Sequence, residues 1–219
     1  MDKQQYIELL SDAPWNRVDE FYGDKDKIPA TYVTKIDIDS DAWIRFSVDN
    51  FDLAQQMWEK PKEHYGAKEN NIADINNQVG RNEHNSFELN YGVNGDTNNK
   101  LISLLGKDNI QRLGIQEEGI LVRLIVNMPG NGVAWHHDAA GRYFTKMYPD
   151  YEGTLDDLTR LWFSAVPWSN GHVFQVGSSM LHNWSAGDVW HIPWGVPHGS
   201  INFGYNIKYT VSLTGRKIR

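Results

Sequence analysis

Residues 160–177 read RLWFSAVPWSNGHVFQVG, and this stretch decides the fold class of the C-terminal half of the chain. Two short runs rich in β-branched and aromatic residues flank the segment PWSNG, as expected for two strands joined by a turn. The same punctuation recurs after Gly119, where PGNG, SAGD and NFGYN divide further runs. Short strands at such regular spacing, with no helices between them, predict a sandwich or barrel rather than a parallel sheet.

We therefore predict a mainly β fold of the jelly-roll type. The apolar segment GVAW (132–135) follows the first of the predicted strands. The seven predicted strands are ILVRLIVNM (120–128), RLWFSAV (160–166), HVFQVG (172–177), SMLHNW (179–184), DVWHIP (188–193), HGSINF (198–203) and IKYTVSLTG (207–215).

The N-terminal part of the chain mixes helical patterns with turns. Helices are predicted for QQYIELL (4–10), NFDLAQQMWEK (50–60) and TNNKLISLLG (97–106), because their apolar residues recur at helical spacing and a glycine ends the third. In contrast, AWIRFSV (42–48) alternates like a strand. The stretch 68–100 is rich in Asn and Gly and predicts long loops.

The length of the chain predicts one domain over residues 1–219. Residues 1–115 are expected to form a helical and loop region with a strand or two. Residues 116–219 are expected to form the jelly-roll core against which those helices pack.

Composition excludes several classes of function. The chain has no cysteine, which rules out disulfides, thiolate zinc sites and cysteine nucleophiles. A net charge of −7 argues against nucleic acid or an anionic membrane as the main partner. The start MDKQQYIELL is polar and no run is long enough to span a membrane, so a cytoplasmic protein is expected.

Three residues in the β region form a candidate metal site, and a lysine that follows them is a candidate for binding a cosubstrate. His136 and Asp138 are two apart after GVAW, so the pleat turns both to one face, and His198 follows the turn PWGVP. Two imidazoles and one carboxylate leave three coordination positions open, which suits a non-haem iron(II) oxygenase. Lys208, ten residues after His198, would open the last strand and face the same interior, where it could neutralise the far carboxylate of a dicarboxylate cosubstrate.

On these motifs, residues 122–215 resemble the double-stranded β-helix core of the 2-oxoglutarate- and iron(II)-dependent oxygenases. They are most similar to the aspartyl/asparaginyl β-hydroxylase-like group, which includes the free-proline cis-hydroxylases. The motifs that carry the resemblance are VRLIVNMPGNGVAWHHD, RLWFSAV, WSAGDVWHIP and PHGSINF followed by a lysine. They cover a little under half of the chain.

The resemblance implies that His136, Asp138 and His198 are iron ligands, and that Lys208 stands at the family's cosubstrate-binding arginine. That lysine is a departure, because an ammonium cannot make the two-pronged contact of a guanidinium. The aspartyl hydroxylases themselves lack the carboxylate ligand, so the presence of Asp138 puts this chain nearer the proline hydroxylases.

Four further residues are candidates for contacts with the cosubstrate. Arg160 begins an interior strand and suits a carboxylate of cosubstrate or substrate. Arg123 points into the barrel if the opposite face of its strand packs under the helices, and Gln175 and Ser212 are candidates for hydrogen bonds to cosubstrate oxygens. Other neighbours are Trp135, Trp162 and Trp194 as apolar walls, Arg142 at the mouth, His137 on the other face, and the packed histidines His172, His182 and His191.

The activity implied by the resemblance is hydroxylation of an amino acid or an amino-acid side chain, with Fe(II), 2-oxoglutarate as cosubstrate, and O2. The expected partner is a small molecule or a peptide, with no nucleic acid and no membrane; the sequence does not determine the oligomeric state. Two alternatives stay open: a cupin-like metal enzyme that does not use 2-oxoglutarate, and a metal-free jelly roll whose tryptophans stack on sugar rings.

Overall fold

The computed structural model describes residues 28–56, 88–92, 95–136, 143, 148, 150 and 152–218, with only the backbone at 55–56, 88 and 134–136. Its strands are β1 (Thr31–Lys35), β2 (Gln55–Gln56), β3 (Glu88–Tyr91), β4 (Leu121–Asn127), β5 (Gly132–His136), β6 (Leu158–Ser164), β7 (His172–Val176), β8 (Ser179–Leu181), β9 (Asp188–His191), β10 (His198–Asn202) and β11 (Lys208–Arg216). Its α-helices are α1 (Ser40–Asp49), α2 (Gly95–Leu105) and α3 (Lys107–Arg112).

The strands form two antiparallel sheets. The large sheet has the order β1-β9-β6-β11-β4-β3-β2, and the small sheet has the order β5-β10-β7-β8. Along the chain from β4 to β11, strands β4, β6, β9 and β11 belong to the large sheet and β5, β7, β8 and β10 to the small one. Eight strands that cross between two facing sheets in this way form a jelly roll, which confirms the predicted fold.

Strand β4 shows how the two faces of the large sheet differ. Val122, Leu124 and Val126 are buried in one cluster with residues of α2 and α3. Arg123 and Ile125 alternate with them and keep partial exposure on the opposite face. The apolar face therefore packs under the helices as expected, and the other face looks toward the small sheet.

Aromatic side chains fill much of the space between the sheets. Trp162 of β6 stacks on Phe174 of β7, with ring centroids 4.5 Å apart and planes 9° from parallel. Trp184 lies edge-on to Trp162, and Val176 and Val196 are buried in the same cluster. This second core holds the large and small sheets together around the candidate site.

Two sequence predictions about helices have clear outcomes. Helix α2 ends at Leu105, and Gly106 follows with φ +80°, a left-handed conformation that a glycine adopts readily, so the predicted stop is confirmed. The prediction of a strand at 42–48 is wrong, because this segment belongs to α1. Asp39 caps that helix by accepting a hydrogen bond from the Ala42 amide at 3.0 Å. Trp43 and Ser47, one turn apart, form its buried face.

The helix predicted for residues 50–60 is also not observed in its described part. Residues Phe51–Leu53 form a short 3-10 helix, and β2 follows and pairs with β3. Pairing at the sheet edge satisfies backbone groups that a helix would have satisfied internally, so tertiary contacts override the local pattern. Strand β3 likewise replaces part of the loop predicted for 68–100, while 4–10 lies outside the described residues. None of the described helices is long and apolar enough to cross a membrane.

Candidate metal centre

His136 and His198 lie opposite each other on two paired strands. His136 ends β5, His198 begins β10, and their Cα atoms are partners in the antiparallel register. Opposed positions of such a pair lie on the same face of the sheet, with Cβ atoms about 4.5–5.5 Å apart. The two histidine positions are therefore neighbours on one face of the small sheet.

The ring of His198 faces the space between the two sheets. It is buried and lies edge-on to Phe174, with 6.1 Å between the ring centroids. Phe174 in turn stacks on Trp162 of the large sheet. The site that these histidine positions define is therefore inside the jelly roll and largely shielded from bulk water.

Two hydrogen bonds determine which nitrogen of His198 carries the proton. Nδ1 lies 2.9 Å from the carbonyl oxygen of Val196, and because a carbonyl only accepts, Nδ1 is protonated and donates. Nε2 accepts from Nη2 of Arg160 at 2.9 Å, so its lone pair is directed into the interior. Metal-binding histidines generally donate their other ring N–H to a carbonyl or carboxylate. His198 thus has the tautomer and orientation that a metal ligand needs.

Arg160 reaches this site from the large sheet. Its side chain is buried, and its Cζ lies 6.0 Å from the centroid of the Trp194 ring. The indole Nε1 of Trp194 is buried, with no hydrogen-bond partner among the described residues. The interior position of Arg160 agrees with expectation, whereas its hydrogen bond to His198 was not expected from the sequence.

The remaining part of the predicted ligand set is not covered by the structure. Asp138, His137 and Arg142 lie outside the described residues, as do the side chains of His136 and Trp135. Among the described side chains, no group of three His, Cys, Asp or Glu residues could hold a metal ion. This search does not test the predicted ligand set, because His198 is its only member with a described side chain.

Lys208 opens the last strand, as predicted, and points into the interior. Its side chain is fully buried, and Nζ donates to the carbonyl oxygen of Val173 at 2.6 Å and to Oγ of Ser200. Both partners belong to the small sheet, so the ammonium group links the two sheets. An ammonium group this deeply buried requires such oxygen acceptors, because desolvation otherwise disfavours the charged form.

Asn127 is a buried polar residue that sequence reasoning did not assign to the site. It is fully buried, its Cα is the register partner of Lys208, and neither Oδ1 nor Nδ2 has a hydrogen-bond partner among the residues that the structure describes. Each such buried group costs roughly 1–3 kcal/mol when unsatisfied. The sequence did contain a signal for this residue, because an asparagine ends the mostly apolar strand β4 on the same face as Arg123.

The other predicted cosubstrate residues separate into two groups. Arg123 and Ser212 are register partners on the inner face of the large sheet, both are partly exposed, and Trp162 is next in the same row. Gln175 does not join them. It pairs with Met180, whose side chain is 58% exposed, on the outer face of the small sheet, and its Nε2 donates to the Gly177 carbonyl at 3.3 Å. Strand alternation places Gln175 outside because Phe174 points inside.

Two of the three histidines expected to be packed behave in that way. His172 is buried, and its Nε2 donates to the carbonyl oxygen of Asn206 at 3.0 Å. Burial lowers the pKa of His172, and the charge of Lys208 lowers it further against the raising effect of the Asn206 hydrogen bond. Burial also lowers the pKa of His191. His182, by contrast, is exposed and lies edge-on to Trp168.

Comparisons with known proteins give little beyond the fold. No family model and no curated protein matches the sequence. TT1209 from Thermus thermophilus is 16% identical over 44% of this chain and 72% of that chain, with a TM-score of 0.31. KdgF from Halomonas sp. is 9% identical over 45% and 69%, with a TM-score of 0.30. A predicted oxalate decarboxylase from Thermotoga maritima is 14% identical over 50% and 74%, with a TM-score of 0.31.

Overlaps this limited define no activity, and the fold rests on the strand order. By that order the protein has the cupin-like double-stranded β-helix fold, with helices and three additional strands on the large sheet.

Proposed function

We propose that this protein is a non-haem iron(II)- and 2-oxoglutarate-dependent dioxygenase that hydroxylates an amino acid or an amino-acid side chain. The observation that carries the proposal is the register of His198 against His136, with Nδ1 of His198 donating to the Val196 carbonyl, so that Nε2, which accepts from Arg160, is the nitrogen that could coordinate a metal. Asp138, two residues beyond His136, completes the ligand set.

His136, Asp138 and His198 would hold the ion, and three coordination positions would be left for other ligands. When bound, the ferrous ion would supply oxidative chemistry in which 2-oxoglutarate and O2 give succinate and carbon dioxide, one oxygen atom of O2 going to succinate and the other replacing a C–H hydrogen of the substrate by hydroxyl. The chain's own residues bind the two substrates, orient them and exclude water.

Two buried cations on the inner face of the large sheet suit a dicarboxylate. Lys208 and the amide of Asn127 would receive the carboxylate far from the metal, since Asn127 brings two unsatisfied polar atoms next to the strand position of the ammonium. Arg160 would serve a carboxylate near the metal. The hydrogen-bonding capacity of Trp194 Nε1 suits an oxygen atom of either substrate.

The aromatic core between the sheets supports the exclusion of water. Trp162 and Phe174 stack directly beside His198, so the ring that would bind the ion has an apolar wall on one side. A water-poor site strengthens the electrostatic hold on an anionic cosubstrate. It also protects a reactive oxidant from side reactions.

The test is release of succinate from 2-oxoglutarate with Fe(II) and ascorbate, screened against free amino acids and then short peptides, with the hydroxylated product identified by mass. We expect His198→Ala to lose both the metal and turnover. Lys208→Met should keep the metal and lose 2-oxoglutarate binding. A metal-loaded wild type that releases no succinate would contradict the proposal in favour of a cupin-like enzyme without this cosubstrate. A wild type that binds no metal would favour a metal-free binding module.

A further inference from the structure

We infer that Arg160 competes with the metal ion for one lone pair, Nε2 of His198, and makes metal and carboxylate binding interdependent. The inference rests on the proposed function, because it assigns His198 as a ligand. It concerns how binding of the metal ion and binding of the cosubstrate depend on each other, which the identity of the metal ligands alone does not determine.

The competition follows from the tautomer of His198. Nδ1 donates to the Val196 carbonyl, so the neutral ring has a single in-plane lone pair, at Nε2. Nη2 of Arg160 donates to that atom at 2.9 Å. A metal ion needs the same lone pair along the same direction. The Arg160 hydrogen bond and the metal bond therefore exclude each other, and Arg160 must move before His198 can coordinate.

The position of Arg160 limits where its guanidinium can move. The residue belongs to β6, where Thr214 of β11 is its register partner and its carbonyl accepts from the Ile192 amide at 2.9 Å, so only its side chain can be displaced. The Trp194 ring, 6.0 Å from Cζ, gives the displaced group an aromatic surface. The guanidinium thus stays close to the metal position, where it repels the cation.

A carboxylate bound at the metal reverses this effect. Arg160 can donate two hydrogen bonds to a carboxylate, which offsets the lost bond to His198 and neutralises the neighbouring positive charges. The metal ion should therefore bind weakly alone and more tightly when a carboxylate cosubstrate is present. By thermodynamic linkage, the metal ion raises the affinity for the cosubstrate by the same factor. Arg160 is in this sense a positioning residue that couples metal binding to cosubstrate binding.

The test measures metal affinity rather than activity. Mn(II) is titrated into the metal-free protein and the free ion is followed by electron paramagnetic resonance, with and without 2-oxoglutarate. We expect Arg160→Met to bind Mn(II) alone at least about tenfold more tightly than wild type, since the hydrogen bond that must be broken is absent. In this variant, 2-oxoglutarate should increase the affinity for Mn(II) by a smaller factor than in wild type. Arg112→Met removes an exposed arginine that pairs with Asp37, and should leave both affinities unchanged.

Wild-type protein provides a second measurement that needs no substitution. With 15N-labelled arginine and diamagnetic Zn(II), one guanidinium signal should exchange faster with water once the metal is added, because Arg160 loses its acceptor. Equal Mn(II) affinities for wild type and Arg160→Met, or no change of the guanidinium signals on Zn(II) binding, would overturn the inference and leave the proposed function standing. Failure of wild type to bind either ion would overturn both.

Discussion

Asn127 shows how a single residue can be costly for folding and useful for binding. Its side chain is fully buried, and neither of its polar atoms has a hydrogen-bond partner in the described part of the chain. By contrast, Asn202, also fully buried, donates through Nδ2 to the carbonyls of Asn127 and Asn206 and accepts from the Gly204 amide at 3.0 Å. Asn202 thus makes the structural hydrogen bonds that the side chain of Asn127 does not make within the described part of the chain.

Replacing Asn127 with leucine, which has a similar volume, should leave the free energy of unfolding unchanged or raise it by about 1 kcal/mol, because two unsatisfied buried groups disappear. The same change should raise the KM for 2-oxoglutarate. Urea denaturation and steady-state kinetics measure the two effects. Asn202→Leu is the matched control and should cost roughly 2–3 kcal/mol, because it leaves carbonyls without their donor. Equal destabilisation by both changes would contradict a binding role for Asn127.

At the scale of secondary-structure elements, two turns determine how the strands around Lys208 meet. Gly171 in the β6–β7 connection has φ +90°, and its carbonyl accepts from the Phe203 amide in the β10–β11 turn at 2.8 Å. A Cβ atom at Gly171 would collide with the backbone of Gly204. This close approach of two turns brings β7, β10 and the start of β11 together.

Gly171→Ala should therefore destabilise the protein by more than the backbone strain of an alanine at positive φ alone explains. A positive φ costs an alanine about 1 kcal/mol, and displacement of a packed backbone adds to that cost. Gly130→Ala is the control, because Gly130 has φ +83° but open space around its Cβ position. Midpoints of urea denaturation compare the two variants. A Gly171→Ala variant no less stable than Gly130→Ala would show that the two turns can separate without cost.

At the scale of the whole molecule, a buried histidine in one sheet and a half-buried histidine in the other influence stability toward acid. His172 belongs to the small sheet and His191 to the large sheet, and desolvation lowers the pKa of each. Among the described residues, Nδ1 of His172 is buried without a hydrogen-bond partner, and the ring stacks on Trp184 with 6.5 Å between centroids. Protonation would therefore place a charge at an atom that has no acceptor in the described part of the chain.

The sign of the pH dependence follows from linkage. Because the folded pKa of His172 is below the unfolded value of about 6.5, the unfolded chain binds protons first. The stabilising contribution is complete above that value and is lost as the pH falls toward the folded pKa. The melting temperature should fall as the pH decreases below about 6.5. His172→Phe keeps the aromatic stacking and should flatten this fall, whereas His182→Phe, at an exposed site, should not. Identical slopes for wild type and His172→Phe would contradict this account.

The strands of the jelly roll could be read from the sequence because alternation is a local property of each strand. Segments such as ILVRLIVNM bury one face under the helices and turn the other inward, as the pattern predicts. The prediction failed at 42–48, where Trp43 and Ser47 are spaced equally well for a helix and the cap at Asp39 decides the outcome. It failed at 50–60 because pairing with β3 supplies hydrogen bonds that the local sequence does not encode.

The sequence by itself determined the class of fold, the alternation of the two faces of β4, and the position of Lys208 at the start of the last strand. Only the tertiary structure decided that His198 stands opposite His136, that Arg160 donates to Nε2 of His198, and that Gln175 lies outside. The physical reason is the range of the interactions. Hydrophobic alternation acts between residues a few positions apart, whereas these contacts join strands far apart in the chain, and they form only once two sheets have packed together.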